Sequence, residues 1–252
     1  MIQIKSPREI DAMRRAGEIT GKALITAQHI IEPGIMTGQV DAEIRKTIEK
    51  AGAIPAFLGY GGFPKSACVS VNEEVIHGIP GKRVLREGDI VSVDVGAIWN
   101  GLYGDAAATF PVGNVSEEAA RLIRVTRESF YKGLAFMREG CRVSDISHAV
   151  QIHAEQAGFS LVRDWTGHGV GTQLHEAPEI PNFGEPGRGP RLFRGMTLAV
   201  EPMVNAGGFK VKVLRDGWTV VTQDGALSAH YEHTVLVTGD VPELLTAWEE
   251  IA

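Results

Sequence analysis

Apolar residues recur at helical spacing in the first fifty positions and predict two amphipathic helices. Across positions 6–31 they fall three or four residues apart, which places them on one face of a helix. Ser6, Pro7 and Glu9 supply an N-cap, a proline in the first turn and the third residue of a capping box. The same spacing predicts a second helix over about 38–51, so the chain begins with a helix pair.

A run of β-formers over 90–110 predicts a hairpin with a carboxylate on each strand. Asn100 and Gly101 fit a two-residue turn in which both positions need positive φ. That turn places Asp94 and Asp105 diagonally on one face, roughly 7 Å apart. Two like charges on a half-buried face repel each other unless a cation lies between them. The hairpin is therefore a candidate metal site, with a solvent-exposed hairpin tip as the alternative.

The pattern of a helix pair followed by strands recurs in the second half of the chain. Helices are predicted over 116–137, from Ser116, and over 144–158, from Ser144. Aligning Gly34 with Gly140 also aligns the apolar positions of the second and fourth helices at one offset of 106 residues. The prediction is an α+β domain of two related halves with a site at their seam, although unrelated helix pairs also align by chance. The predicted domain covers 1–252, with halves of about 6–112 and 113–240.

The second half also contains polar residues in apolar surroundings. A strand predicted over 162–166 leads into a glycine-rich segment that contains His168 and His175. Glu201 follows an apolar run, where a lone buried carboxylate would be costly, and Glu232 alternates with apolar residues in a later strand. The other histidines lie on helices or beside strands, where surface or supporting polar roles are expected: His29, His148, His153, His230 and His233.

Two aspartates, two glutamates and one glycine-flanked histidine form an oxygen-rich ligand set. Such a set suits a pair of divalent cations that share bridging carboxylates. Paired metals roughly 3.5 to 4 Å apart occur in phosphatases, nucleases and aminopeptidases. The chain has no His-Glu-x-x-His helix, Walker loop or nucleotide fingerprint, which argues against thermolysin-like and nucleotide-binding classes. The predicted ligands are Asp94, Asp105, His168, Glu201 and Glu232.

Composition narrows the class of protein further. The 252 residues are 44% hydrophobic, as in an ordinary globular protein, and the net charge of -6 argues against nucleic acid as a main ligand. The two cysteines, Cys68 and Cys141, do not form a disulfide framework, so a reducing cytoplasm is expected. The N-terminus is too polar for a signal peptide, and no apolar run is long enough to suggest a membrane role.

Seven residues agree with one family in order, spacing and local motif. They are His77 in Ile-His-Gly-Ile-Pro, Asp94 and Asp105 eleven residues apart, His168 in Gly-His-Gly-Val-Gly, His175, Glu201 in Glu-Pro-Met-Val-Asn and Glu232 in Tyr-Glu-His-Thr. With these motifs the chain resembles the type I methionine aminopeptidases over about 6–237. The resemblance implies the pita-bread fold, in which two halves related by a pseudo-two-fold axis surround a central curved sheet.

The resemblance also implies a role for each predicted ligand. Asp94 would bind one metal ion, His168 and Glu201 the other, and Asp105 and Glu232 would bridge the two. The ions would be cobalt, manganese, iron or zinc, because mixed carboxylate and imidazole ligands accept all of them. The identity of the native metal and the order of loading stay open.

The implied reaction is removal of the N-terminal methionine from nascent polypeptides whose second residue is small. A water activated by the metals would attack the methionine carbonyl, with Glu201 as the proton shuttle. His77 and His175 would contact the scissile amide and stabilise the tetrahedral intermediate. The resemblance further implies transient contact with the ribosome, and a monomer is the default expectation.

A methionine pocket is implied as well, since thioether sulfur packs well against aromatic rings. Phe57 stands where the family often has cysteine, and Leu174 stands where it often has phenylalanine. These opposite changes in volume are predicted to compensate, leaving methionine preferred, although plain core packing is the alternative for Phe57. The implied lining residues are Tyr60, Phe63, Cys68 and Trp218.

Two other functions remain as alternatives. A peptidase of the prolidase or aminopeptidase P kind, which cleaves Xaa-Pro bonds, would share the five ligands. Such enzymes usually carry a sizeable N-terminal domain, for which 252 residues leave no room. A non-catalytic binding module of the same fold is the second alternative, and the presence of all five ligands argues against it.

Overall fold

Four α-helices form two consecutive pairs within residues 2–248, which are the residues that the computed structural model describes. Met1 and 249–252, at the ends of the predicted domain, lie outside the described residues. The Ser6 hydroxyl accepts a hydrogen bond from Glu9 N, and the Glu9 carboxylate accepts one from Ser6 N, which confirms the predicted capping box. The helices are α1 Pro7–Ile30, α2 Thr37–Lys50, α3 Glu117–Leu134 and α4 Val143–Gln156.

Two helix boundaries differ from the prediction. Helix α3 ends at Leu134, because the chain then turns and no longer follows the helical path to residue 137. Helix α4 begins after the N-cap Arg142, whose N–H donates to the Asp145 carboxylate at 2.7 Å. Ser144 is therefore a first-turn residue and not the cap, and its hydroxyl donates to the backbone oxygen of Arg188.

The strands form one large sheet, in which all the strand pairs described are antiparallel, and two small antiparallel sheets. In the large sheet the order is β1-β4-β5-β14-β9-β7-β8, with β2 also on β4 and β15 also on β14. The small sheets have the orders β13-β10-β6 and β11-β12-β3. The strands are β1 Ile54–Pro55, β2 Ala67–Val71, β3 Glu74–Ile76, β4 Ile90–Trp99, β5 Leu102–Pro111, β6 Ser160–Leu161, β7 Gly167–Gly169, β8 Glu176–Ile180, β9 Thr197–Val200, β10 Met203–Asn205, β11 Val211–Val213, β12 Val220–Thr222, β13 Ser228–His230, β14 Glu232–Leu236 and β15 Glu243–Leu244.

The hairpin β4-β5 has the predicted turn and register. Asn100 and Gly101 have φ values of 49° and 78°, as a type I′ turn requires. Asp94 lies opposite Ala107, and Asp105 lies opposite Gly96. Both aspartates therefore project from one face of the sheet, while the alternate valines of β4 pack into the main core.

Helix α1 packs directly on the hairpin because glycine removes side chains from the contact. A Cβ on Gly104 of β5 would lie 2.7 Å from the backbone nitrogen of Gly17 in α1. The Thr20 hydroxyl donates to the Gly104 carbonyl at 3.2 Å across the same contact. The helix thus covers the sheet face opposite the aspartates and leaves the aspartate face to the site. No helix of the described residues is long and apolar enough to cross a membrane.

Two predicted strands of the second half are different in the structure. The strand predicted over 162–166 is instead β6, at Ser160–Leu161, because its partner β10 begins at Met203 and therefore lies opposite no residue after Val162. The predicted strand that contains Glu232 is interrupted at Tyr231, where the chain leaves one sheet and enters another. Before this residue β13 pairs with β10, and after it β14 pairs with β5 and β9.

The positions of corresponding elements support the proposal of two related halves. Helix α4 begins and ends 106 residues after α2, and β6 begins and ends 106 residues after β1. Gly34 and Gly140, which the proposed alignment pairs, both have positive φ. The first and third helices differ in length, so the correspondence covers only part of each proposed half.

Candidate active site

The strand register brings the acidic residues to one face of the large sheet. Ala107 of β5 lies opposite Asp94 on one side and opposite Glu232 on the other. Asp105 is two residues from Ala107 and shares its face, and Glu201 directly follows β9, beside Glu232. The small side chain of Ala107 leaves the space between these carboxylates open, and all four acidic residues meet there.

His168 faces this cluster with an unprotonated ring nitrogen. Its Nδ1 lies 2.9 Å from the Gly169 carbonyl oxygen, which can only accept, so the Nδ1 carries the proton. Burial lowers the pKa of His168 to about 4, so the ring is neutral and the Nε2 presents a lone pair. That Nε2 lies 3.5 Å from Glu201 Oε1 and 3.8 Å from Asp105 Oδ2. The His168 Nε2 and the carboxylate oxygens of Glu201 and Asp105 therefore face one space, as ligand atoms do around a cation.

Buried oxygens without hydrogen-bond partners also indicate a cation site. Asp94 Oδ1, Asp105 Oδ1 and Glu232 Oε1 are buried without a hydrogen-bond partner among residues 2–248. Burial raises the pKa of Asp105 to about 7, and burial with repulsion from Asp105 raises the pKa of Asp94 and Glu232 well above the usual range. Buried carboxylates without donors are costly unless a cation neutralises them, so these residues fit divalent metal ions.

His230 belongs to this cluster, although the sequence predicted only a surface or supporting polar role for it. Its side chain is 1% exposed, and neither ring nitrogen has a hydrogen-bond partner among the described residues. The Nε2 lies 3.8 Å from Glu201 Oε2 and 3.8 Å from Glu232 Oε2. Burial, and then the nearby His77, lowers the pKa of His230 to about 3, so the imidazole is neutral. Its two-residue spacing from Glu232 was the signal that could have placed both on one face.

Three of the four remaining histidines outside the predicted site have polar partners. His233 is buried, with its Nδ1 3.0 Å from the Thr246 hydroxyl and its Nε2 3.1 Å from the Tyr231 hydroxyl. His148 and His153 on α4 contact the Gly184 carbonyl and the Glu128 carboxylate, and His29 lies on the exposed side of α1. None of these four histidines points into the acidic cluster.

His77 and His175 stand at the edge of the acidic cluster. His77 has a φ of 60°, and its ring packs edge-on against Trp165 at a centroid distance of 5.0 Å. Burial, and then His175, lowers the pKa of His77 to about 4. The His175 ring lies 4.2 Å from the His168 ring, and burial lowers its pKa as well. Both imidazoles are therefore neutral hydrogen-bonding groups at neutral pH.

Tyr60 fixes the orientation of the His175 ring. The phenol oxygen lies 2.7 Å from His175 Nδ1. If the phenol donates to this nitrogen, the neutral imidazole carries its proton on the Nε2, where it can donate to a bound molecule. The pair therefore has the geometry of a positioned hydrogen-bond donor.

An apolar pocket opens above the acidic floor. The complete cavity has a volume of about 690 Å³. Four buried side chains, Phe57, Phe63, Cys68 and Leu174, pack together in its wall with Trp218 against them. Phe63 and Trp218 meet edge to face with ring centroids 5.1 Å apart. Such a wall suits a long apolar side chain.

The cavity brings together every residue that the sequence predicted for the site. Their individual roles stay predictions, because proximity alone does not assign them. The acidic residues and His168 form the floor, the two other histidines stand beside it, and the apolar residues form the wall. The residues are Phe57, Tyr60, Phe63, Cys68, His77, Asp94, Asp105, His168, Leu174, His175, Glu201, Trp218 and Glu232.

The chain is similar in sequence and structure to known metallopeptidases. Residues 11–239 match the model of metallopeptidase family M24. A methionine aminopeptidase from Clostridium acetobutylicum is 55% identical over 250 residues, covering 99% of this chain and 100% of that protein. The crystal structure of a methionine aminopeptidase from Thermotoga maritima has a TM-score of 0.96 and 50% identity, covering 98% of this chain and 99% of that chain.

A more distant structure shares the fold alone. Prolidase from Pyrococcus furiosus has a TM-score of 0.79 at 22% identity, and the match covers 98% of this chain and 66% of that chain. Together with the closer structure, this likeness confirms the predicted α+β pita-bread fold.

Proposed function

The chain belongs to metallopeptidase family M24, and on that premise we propose that it hydrolyses the peptide bond after an N-terminal methionine when the second residue is small. The observation that carries this proposal is the acidic cluster at the floor of an apolar pocket. The floor supplies ligands for divalent ions, and the wall accepts one unbranched apolar side chain. The similarity to methionine aminopeptidases over nearly the whole chain supports the choice of methionine.

We propose that the acidic floor holds two divalent ions. Asp94, Asp105, His168, Glu201 and Glu232 would hold them. Ligand atoms of Asp105, His168 and Glu232 lie within 4.8 Å of one another, which supports an ion there. Bound ions of this kind supply an acidified water and polarise the scissile carbonyl. Cobalt, manganese, iron and zinc all suit this ligand set.

The other site residues would orient the substrate and move protons. Glu201 directs its Oε1 toward His168 and its Oε2 toward His230, and its carboxylate is proposed to take a proton from the attacking water and pass it to the leaving amine. His175, oriented by Tyr60, would donate from the Nε2 to the scissile amide as negative charge develops. His77 would contact the same amide, and its packing against Trp165 restricts the ring.

Peptide hydrolysis by metal-stripped protein tests the proposed function. Met-Ala-Ser, Leu-Ala-Ser and a peptide with proline in second position would each be assayed after addition of manganese, iron, cobalt or zinc. The expected result is release of methionine from Met-Ala-Ser alone, restored by at least one metal. Cleavage only before proline would indicate an Xaa-Pro peptidase, and a folded protein without activity under every metal would indicate a binding module.

Replacing His230 by leucine is expected to weaken metal affinity by about tenfold, because groups that surround metal ligands typically contribute tenfold or more. The change removes an imidazole that faces the carboxylates of both Glu201 and Glu232. Calorimetric titration of the metal-stripped protein measures this effect without reference to activity. His29→Leu, on an exposed part of α1, serves as the control and should bind metal as the unmodified protein does. Unchanged affinity in H230L would show that His230 has no part in the site.

The volumes of Phe57 and Leu174 are expected to compensate in the pocket. Both side chains belong to the same buried cluster. Replacing Phe57 by cysteine and Leu174 by phenylalanine in one protein should therefore preserve the selectivity for methionine over leucine. Either change alone should reduce the selectivity by about tenfold, since a pocket misfit of this size costs about 1–3 kcal/mol. The ratios of kcat/KM for Met-Ala-Ser and Leu-Ala-Ser check this. Additive losses in the double variant would mean that the two positions act independently.

The conditions of action are a further part of the proposal. We propose a monomer that acts in the cytoplasm on chains emerging from the ribosome. Cys68 and Cys141 are both free thiols in the structure, which supports a reducing compartment. The predicted site residues all come from one chain and line one cavity, which supports the monomer.

A further inference from the structure

The segment before α1 reaches the active site through one buried lysine. Lys5 donates a backbone hydrogen bond to the Gly195 carbonyl at 2.8 Å, which anchors this segment beside β9. Its ammonium group lies 2.6 Å from Glu176 Oε2. The two side chains are only 2% and 5% exposed, so the ion pair is almost wholly removed from solvent.

Glu176 uses its other oxygen to fold the preceding loop. Its Oε1 accepts hydrogen bonds from Thr172 N at 2.8 Å and from Gln173 N at 3.1 Å. Although burial raises the pKa of Glu176, the hydrogen bonds from Lys5, Gln173 and Thr172 outweigh it and hold the pKa below its ordinary value. The carboxylate is therefore charged, and it ties the loop to the segment before α1.

This loop carries two residues of the proposed site. Leu174 lies in the apolar wall, and His175 stands beside the metal-binding floor. Gly171 of this loop packs closely against the Lys5 side chain, because a Cβ on Gly171 would lie 2.3 Å from Lys5 Cε. On its other side, the Gly171 carbonyl accepts a hydrogen bond from Tyr103 N of β5 at 2.9 Å.

We propose that Lys5 is a positioning residue for the reaction: through Glu176 it sets the loop that places His175 against the scissile amide and Leu174 in the methionine pocket. The inference rests on the proposed function, since it assigns a distant residue to that reaction. It follows from the ion-pair geometry and from the chain path. Without Lys5 the buried Glu176 carboxylate would lack a partner of opposite charge, and the loop would reorganise. The predicted metal ligands lie on other segments or before the loop.

The test compares Lys5→Met, Glu176→Gln and the double variant with the unmodified protein. Methionine removes the charge while keeping an unbranched side chain, and glutamine keeps an oxygen for the Thr172 and Gln173 amides. Arg45→Met breaks an exposed ion pair on α2 and serves as the matched control. Each protein would be measured for kcat and KM with Met-Ala-Ser and Leu-Ala-Ser, for calorimetric metal affinity, and for the folded fraction by circular dichroism.

The expected loss in K5M is at least about tenfold in kcat, because a displacement of about 1 Å in a catalytic group can cost more than that. The selectivity for methionine over leucine should also fall by about threefold or more, since the loop carries a wall residue. That ratio does not depend on how much protein is folded. Metal affinity and R45M kinetics should match the unmodified protein.

The double variant decides whether the two side chains act together. Its loss in kcat should be smaller than the product of the two single losses by about tenfold, because glutamine beside methionine leaves no unpaired charge. The proposal would be overturned if K5M had the same kcat and selectivity as the unmodified protein, or if the losses multiplied in the double variant. Absence of methionine release by the unmodified protein under every metal would instead overturn the proposed function.

Discussion

Replacing Glu232 by glutamine is expected to lower the rate of methionine release by about a thousandfold, which corresponds to about 4 kcal/mol of transition-state stabilisation from correctly held metal. Glu232 lies in both groups of side chains whose ligand atoms approach within 4.8 Å of one another. An amide is a weaker ligand and cannot bridge two cations as a carboxylate does. Metal affinity should therefore fall together with the rate, and calorimetric titration with manganese or cobalt measures the affinity.

The same change is expected to stabilise the metal-free protein. Burial, and then repulsion from Asp105, Glu201 and Asp94, raises the pKa of Glu232. A raised carboxyl pKa means that the charged form destabilises the folded state at neutral pH. Glutamine removes that charge, so the melting temperature of metal-stripped E232Q should exceed that of the metal-stripped unmodified protein.

Asp41→Asn provides a matched control at a second buried carboxylate. The Asp41 Oδ1 accepts hydrogen bonds from Ser66 N at 2.8 Å and Ala67 N at 3.1 Å, and Asp41 does not line the cavity. Its replacement should leave metal affinity unchanged and should not raise the melting temperature. Metal affinity in E232Q equal to that of the unmodified protein would contradict a ligand role for Glu232.

Replacing His175 by alanine is expected to lower kcat by about a hundredfold while leaving metal affinity unchanged. Loss of one donor to a developing negative charge typically costs between about a hundredfold and a thousandfold. His175 is the residue that Tyr60 orients, and its ring lies beside His168 without being a proposed ligand. KM should change less than kcat, because the apolar wall still holds the methionine side chain.

The contrast with E232Q makes this second prediction specific. H175A should retain metal affinity and lose rate, whereas E232Q should lose both. His153→Ala, at a half-buried position on α4 beside Glu128, is the control and should have the unmodified kcat. If H175A lowered metal affinity as strongly as E232Q, His175 would be a metal ligand and its proposed role would be wrong.

Local sequence determined the hairpin and its register. The Asn100-Gly101 turn needs two positive φ values, and a two-residue connection allows only one pairing of the flanking strands. That pairing placed Asp94 and Asp105 on one face without any knowledge of the remaining fold. The capping box at Ser6 was equally local, since its donors and acceptors lie within three residues of each other.

Element boundaries were less predictable where distant partners set them. The strand around Tyr231 reads as continuous in sequence, yet its two parts pair with different sheets. Helix α4 begins after Arg142 and not at Ser144, whose hydroxyl donates instead to the backbone oxygen of the distant Arg188. In both places the deciding partner is remote in sequence, so local propensity does not report it.

Ligand chemistry and local motifs lie in short segments of the chain, so the sequence predicted a set of residues that all line one cavity. How those segments meet depends on the tertiary fold. It buried His230 against Glu201 and Glu232, and it set the proton of His168 by placing a carbonyl at the Nδ1. It also paired Lys5 with Glu176 across 171 residues. Burial and hydrogen bonding between distant segments depend on the complete fold, so no short pattern encodes them.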